Sequence, residues 1–246
     1  MGPPRNVAIC QPHYLPWLGY FAMIDAVDTF VFLDDVDFIK REWKNRNRIR
    51  GDREAEDTRW LTVPVDRSCQ RHTPLAACTL STAVDWRRDH LNALRQVYRK
   101  APFFTPTMVL MEELLAPVDA TLADLNIRTV SRLCEHLGIT TPLVRSSAFG
   151  VPGSRTTRLR NLCLALGASH YLANNGSAAY LDREDLVAHG LTVSFQDYAH
   201  PTYPQVSGRA ALPWLSHLSI VDALMNLGPA TAACLREGTP RDAAAA

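Results

Sequence analysis

A chain of 246 residues with 47% apolar content can bury one large core or two unequal lobes. Its 26 Lys and Arg against 25 Asp and Glu leave a formal charge of +1. That balance excludes a global field for nucleic acid or an anionic membrane, so any anion site must be local.

The elements begin with "RNVAIC" as a strand, "PWLGYFAMIDAV" as a helix and "DTFVFLDD" as a second, fully buried strand, a βαβ opening. Ligands gather at the carboxyl ends of such strands, which places the Gln11–His13 and Asp34–Asp37 turns beside one pocket. The stretch "IKREWKNRNRIR", with "RWLTVPV" (59–65) and "TPLAACTL" (73–80), predicts a β excursion carrying a basic loop. Helices follow over "DWRRDHLNALRQVYRKA" and "TLADLNIRTVSRLCEHLG", the latter stopped by Gly138. Alternation then returns: "PLVRSS", "SHYLAN" and "LTVSFQDY" as strands, with "RTTRLRNLCLALG" and "DREDLVAHG" as helices. A last helix over "SHLSIVDALMNLG" has Ser219 as N-cap and Gly228 as terminator.

The predicted fold class is α/β: a central, mostly parallel sheet with flanking helices, a β excursion after the second strand and a helical middle segment. One domain is expected over 1–232, with a helical insertion at about 85–138 and a frayed tail at 233–246. Cysteines at 10, 69, 78, 134, 163 and 234 show no CxxC pairing and read as reduced core thiols rather than disulfides or zinc ligands. No apolar run approaches ~18 residues and "MGPPRNVAI" is too short for a signal peptide, so the expectation is a cytoplasmic protein without membrane insertion.

Several residue groups can carry chemistry. Cys10, ending a strand, is either a nucleophile or core; His13, between two prolines, suits a polar contact. Asp35 and Asp37 in "FLDDVDF" have the spacing that holds a divalent metal on a sugar nucleotide, or they cap a turn and pair with an Arg. In an extended chain Lys44, Arg46, Arg48 and Arg50 share one face, and Trp43, Asn45 and Asn47 the other. Arg46 and Arg48 would then clamp a phosphate or carboxylate, or simply solvate an edge strand. Asn174 and Asn175 form either a substrate-holding turn or only a turn. In "YAHPTYPQ", Pro201 and Pro204 stiffen a segment carrying Tyr198, His200, Tyr203 and Gln205, and His200 is the leading general base.

The motifs "QPHYLPWLGYF", "FVFLDDVDF", "WKNRNRIR", "WLTVPV", "GSRTTRL", "YLANNGSAAYL", "HPTYPQ" and "LSIVDALMNLG", in this order over roughly residues 6–228, resemble the WbqC-like protein family. The resemblance puts Gln11, Pro12, Tyr14, Pro16, Asp34, Asp35, Trp43, Asn45, Arg46, Pro201, Tyr203, Gln205 and Asp222 at motif positions. It implies a setting in bacterial surface-polysaccharide or specialised-metabolite biosynthesis, where glycine transfer to an amino sugar has been suggested. Cys10 occupies a position where relatives carry residues such as His or Met, which argues against a family-wide Cys nucleophile.

The expected activity is therefore acyl or aminoacyl transfer to a small-molecule amine, from a carrier-bound thioester, with no cofactor, metal or nucleic acid. His200, or else His13, takes the proton; Gln11 and Asn45 hold the acyl carbonyl; Arg46 and Arg48 grip a donor phosphate; Asp34 or Asp35 orients the base. Rival expectations are a metal-dependent nucleotide-sugar glycosyltransferase, an ATP-dependent ligase lacking a Gly-rich phosphate loop, and a non-enzymatic sugar- or carrier-binding scaffold.

Overall fold

A computed structural model describes residues 5–51, 57–116, 118–206 and 213–239. Five parallel strands form the central sheet: β1 (Asn6–Cys10), β2 (Thr29–Phe32), β5 (Leu143–Arg145), β6 (His170–Ala173) and β7 (Thr192–Phe195), in the order β5-β2-β1-β6-β7. Strand β1 lies in the middle, pairing Val7 with Thr29 on one side and with Tyr171 on the other.

Both faces of this sheet are covered, which is why its strands read as unbroken apolar runs rather than alternating ones. Val7, Ile9, Val31 and Tyr171 face helices α5 (Arg155–Ala165) and α6 (Arg183–Ala188). Ala8, Cys10, Phe30 and Phe32 face a larger core. It is built by α1 (Leu18–Asp25), α2 (Trp86–Tyr98), α3 (Phe104–Leu115), α4 (Leu122–Leu137), α7 (Ile220–Leu227) and α8 (Thr231–Glu237). The α/β class, parallel sheet and flanking helices are as expected.

The β excursion is an antiparallel pair, β3 (Arg46–Arg50) with β4 (Thr58–Thr62), in which Arg48 opposes Trp60. The stretch 73–80 of that excursion forms no strand: it is a short 3₁₀ turn at Leu75–Ala77 flanked by isolated bridges at Pro74, Thr79 and Leu80. Pro74 lacks the N–H that a continuous ladder needs. Helix α3 has no counterpart in the sequence reading. Pro106 suggests a break, yet it falls in the helix's first turn, where its missing donor costs nothing.

Helix α4 ends as its sequence predicts: Gly138 is left-handed at φ 70° and donates its N–H to Cys134 and Glu135. Ser219 caps α7 through its side chain on the Val221 N–H. The expected tail begins later than 233. Residues up to Glu237 belong to α8, whose Cys234 and Leu235 are buried; residues 240–246 lie outside those described. Apolar burial at i and i+1 of one turn converts that stretch from tail to helix. All six cysteines are free and buried, and among the described residues no helix is long and apolar enough to cross a membrane.

Candidate functional site

Strand order reverses between β1 and β6, all five strands running parallel, and in sheets of this type the loops leaving the carboxyl ends of the two strands at that point flank the ligand crevice. From β1 come Cys10, Gln11 and His13; from β6 come Asn174 and Asn175, with Asn174 donating to the Cys10 sulfur at 3.9 Å. The adjoining turn after β2 is tied in by a Leu33 N–H on the Cys10 carbonyl at 2.8 Å. The two N-terminal turns thus lie side by side, as the βαβ reading expects.

Loop 11–17 is held by side chains from three distant elements. Asn126 of α4 donates to the Pro12 and Lys44 carbonyls, Asn47 of β3 to those of Tyr14 and Leu15, and Ser219 to that of Leu15. Leu15 is left-handed at φ 41°, a costly state for a branched residue, and its doubly bonded carbonyl maintains it.

Lys44 enters this crevice although the sequence reading gave it no site role. It is almost completely buried, ion-paired with half-exposed Glu42, and its charge acts on both Cys10 and His13. Burial pushes the Cys10 thiol up to about 12, only partly offset by the Gln11 N–H, Lys44 and Asn174. His13 is pushed down to about 3, by burial first and Lys44 second. A thiol so protonated is a poor nucleophile and an imidazole so acidic a poor base. Cys10 is buried, and the His13 ring lies 5.1 Å from that of Tyr20.

His200 stands in a different cluster, at the start of α1. Its ring lies 5.8 Å from Trp17, 5.4 Å from His217, 6.4 Å from Tyr203 and 5.3 Å from Trp214. Its Nδ1 donates to the Pro201 carbonyl at 3.0 Å, which fixes the proton there and leaves Nε2 as the lone-pair nitrogen. Burial, and secondarily the neighbouring His217, lower its pKa, with the Pro201 bond opposing. His217 is also lowered, by burial and by Arg48, whose Nε makes a long 3.5 Å contact with the His217 carbonyl. Trp17, 4.7 Å from His217, is the end of loop 11–17, so one loop joins the crevice to this cleft.

Other expected site residues are committed to holding the fold. Fully buried Asp34 accepts from Ser146 Oγ at 3.1 Å and from the Ser147 N–H and Oγ at 3.0 and 2.9 Å, locking β2 to β5. Asp35 is paired with Arg158 of α5, and its Oδ1 lies 2.6 Å from Ser146 Oγ, sharing that hydroxyl's one proton with Asp34, whereas Asp37 turns to His72 at 2.8 Å. These two carboxylates therefore do not converge in the way a shared metal requires, and among the described residues no group of three His, Cys, Asp or Glu has metal-holding geometry. Tyr14 is fully buried with its hydroxyl 2.9 Å from His90 Nδ1, and buried Asn45 donates to the Val63 carbonyl. Tyr203 and Gln205 turn inward to Asp222, which accepts from Tyr98, Tyr203 and Gln205 at 2.7, 2.9 and 2.9 Å.

The alternation proposed for 43–50 holds only from Arg46 onward. Residues 43–45 form a turn, so Trp43 swings to meet Trp60 at 5.6 Å on the arginine face, and Lys44 is buried and paired with Glu42. Arg46 lies over Trp60 at 4.0 Å.

The motifs carrying this geometry extend from Gln11 to α8, and the model of the WbqC-like protein family matches residues 11–234. The chain belongs to the WbqC-like family. A protein of Mycobacterium tuberculosis (strain ATCC 25618 / H37Rv), described as uncharacterized protein Rv1507c, is 33% identical over 230 residues, covering 91% of this chain and 94% of that protein. No solved structure matches the chain. Within this WbqC-like chain, Lys44, Ser146, Ser147 and Arg158 are the site-shaping residues that sequence reasoning missed. Two of them gave a signal: Lys44 as a cation flanked by the Trp43 and Asn45 motif positions, and Arg158 as a member of the "GSRTTRL" motif.

Proposed function

We propose that this WbqC-like protein transfers an acyl or aminoacyl group from a thioester to a small-molecule amine, with His200 as the base. The observation that carries this reading is the His200 anchoring: an Nδ1–H bound to the Pro201 carbonyl, an Nε2 with no hydrogen-bond partner among the described residues, and walls of Trp17, Tyr203 and Trp214. This is the posture of a general base in a partly dry cleft. Its lowered pKa keeps the imidazole neutral at pH 7.

In the proposed step the amine nitrogen attacks the thioester carbonyl, the C–N bond forms and the C–S bond breaks. His200 Nε2 takes the proton as the nitrogen becomes acidic in the tetrahedral intermediate, then returns it to the departing thiolate. Arg48, beside His217, provides the cation for a donor phosphate, with Arg46 next along the same strand face. The aromatic walls suit an ammonium before it loses its proton. Gln11, His13 and Asn174 line the adjoining crevice and contact the rest of the acceptor or donor.

A nucleotide-bearing donor is the second reading, favoured by the strand order, whose reversal between β1 and β6 is where mononucleotides bind in sheets of this type. Mass-spectrometric assay with acyl and aminoacyl thioesters, and with ATP or sugar nucleotides plus manganese, separates the two. The expected result is amide product from thioesters in native protein and Cys10→Ser, with loss in His200→Ala at unchanged Tm. Turnover requiring ATP or a sugar nucleotide, or a covalent adduct absent from Cys10→Ser, overturns it.

A further inference from the structure

Several walls of the His200 cleft come from chain that is neither helix nor strand. Trp214 and His217 lie in the irregular stretch 213–217, and Tyr203 in the irregular stretch that follows His200. Such stretches keep a fixed place only where side chains tie them down, and the ties here converge on one buried group. Gln205, almost completely buried, treats Leu215 as a strand partner would. Its Oε1 accepts the Leu215 N–H at 2.7 Å and its Nε2 donates to the Leu215 carbonyl at 2.9 Å. The second Nε2 proton goes to Asp222 Oδ1 at 2.9 Å, so both amide protons are committed and the orientation of the group is fixed. The same Oδ1 accepts from the Tyr203 hydroxyl at 2.9 Å, while Oδ2 accepts from Tyr98 at 2.7 Å.

Arginines of β3 tie the same stretch from another side. Arg50 donates to the Pro213 carbonyl and Arg48 Nε makes its long 3.5 Å contact with the His217 carbonyl, so both ends of 213–217 meet one strand. His217 is left-handed at φ 57°, a state that a residue other than glycine keeps only where its surroundings over-determine it. From Asp222 two short branches lead to the base. One runs through Tyr203, whose ring is 6.4 Å from that of His200; the other runs through Gln205 and Leu215 to Trp214, 5.3 Å from it. Tyr98 bonds the same carboxylate and the Arg50 N–H from α2, and stands on neither branch.

We infer that Asp222 and Gln205 are positioning residues for the His200 site: one buried carboxylate sets where Tyr203, Trp214 and His217 stand, and through them how the imidazole is held toward an acceptor. The inference rests on the transferase reading for what His200 does, while the placement of the walls is separate from that chemistry. It gives Gln205 and Asp222, both turned inward, a part in the site as its frame rather than as contacts. The groups facing His200 are Trp17 from the loop before α1, Tyr198 and Tyr203 from its own stretch, and Trp214 and His217 from 213–217, with Arg48 behind His217. Burial is the first cause that holds His200 below the ordinary imidazole range and His217 the second, so loosening 213–217 lets water in, draws His217 away and moves the titration up on both counts.

The test reads His200 directly, by NMR of the full chain carrying isotope-labelled histidine, with its signals assigned by their loss in His200→Gln. Gln205→Leu deletes the ties to Leu215 and Asp222, and Tyr98→Phe is the control, since it weakens the same carboxylate without moving a wall. In native protein His200 is expected as the Nδ1–H tautomer, titrating below the ordinary ~6.5. In Gln205→Leu the tautomer preference falls and the midpoint rises by about half a pH unit or more, while Tyr98→Phe leaves both in place although it costs stability. Thioester turnover, measured alongside, falls about tenfold or more in Gln205→Leu at a pH where His200 is neutral in both proteins. If Gln205→Leu does not fold, Gln205→Asn, whose amide is one methylene short of Leu215, gives the same reading. His200 signals unmoved in the Gln205 variants, or moved equally in Tyr98→Phe, overturn the inference. Signals that move only in the Gln205 variants, with no thioester turnover in native protein, support the frame and refute the transferase reading.

Discussion

Removing one hydroxyl from the Asp222 cage tests the physical account of the "HPTYPQ" segment. Asp222 is fully buried and its carboxylate is held by hydroxyl donors from Tyr98 and Tyr203 and by the Gln205 amide, with buried Arg50 as the nearby cation. Tyr203→Phe deletes one donor to a buried carboxylate with almost no change in volume, and a hydrogen bond to a charged group contributes about 1.5–3 kcal/mol. The expected loss is about 2 kcal/mol. Tyr98→Phe costs more, about 3 kcal/mol, because the Tyr98 oxygen also accepts the Arg50 N–H at 3.2 Å. At roughly 2–4 °C per kcal/mol for a chain of this size, Tm falls by about 4–8 °C and 6–12 °C. The pH dependence has a definite sign. Burial raises the Asp222 pKa above its unfolded value, so its ionisation opposes folding, a cost absent below the unfolded pKa and complete above the folded one. Each missing donor raises that cost further, so the Tyr203→Phe penalty shrinks as pH falls through the carboxylate range. Urea unfolding of native protein and both variants at pH 7 and pH 5 reads these numbers. A Tyr203→Phe loss below about 0.5 kcal/mol at pH 7, or a penalty that grows on acidification, refutes the caged-carboxylate account.

The remaining predictions concern thiols, imidazoles and the β2–β5 lock. With its thiol pushed up to about 12 by burial, Cys10 stays protonated at pH 8, so alkylation in the native state runs far slower than that of an ordinary thiol; rapid native labelling mapped to Cys10 contradicts this. His13 and His90 have folded pKa values near 3 and 4, so their neutral forms support folding above the unfolded imidazole pKa, and that support is lost as pH falls from about 6.5. His90→Gln should therefore flatten the decline of the urea midpoint between pH 6.5 and 4, whereas an unchanged slope shows that His90 does not contribute. Asp34→Ala strands the N–H and hydroxyl of Ser147 and should cost about 3 kcal/mol, read by thermal unfolding; a neutral result removes Asp34 from the lock. Under the transferase reading, kcat/KM rises with pH and levels off near or below pH 6.5, since His200 works as the neutral base; an acid limb centred above pH 7.5 excludes it.

Much of the architecture was legible because local and tertiary preferences agree. Val7–Cys10 and Thr29–Phe32 are buried on both faces, so an unbroken apolar run identifies them, and the Gly138 and Ser219 caps bracket their helices in the sequence itself. Helix α3 starts after Phe103, an N-cap without a capping side chain, and carries Pro106 in its first turn, so its start has no signal of the kind that Ser219 gives. The site was legible as a set of residues but not as a set of roles. Sequence order cannot tell that Asp34 faces two serines 112 and 113 positions away, or that Tyr203 and Gln205 turn to Asp222 rather than to solvent. Motif residues of both kinds, open to a ligand and locked in a cage, look alike in one dimension. Lys44 was misplaced for a simpler reason: the β alternation was extended back through a turn that breaks it.

The central place of β1 has a consequence in time. One of its two neighbours, β6, lies 164 residues further along, counting from Asn6 to His170, and the loop that leaves β1 is pinned from as far away as Ser219. At about 5–20 residues per second, a ribosome needs roughly 8–33 s to supply β6 after making β1. Through that interval the first strand has one exposed, fully apolar edge and no settled loop. Until β6 is made that edge of β1 has no strand of its own chain to pair with, and unpaired strand edges are where chains associate wrongly.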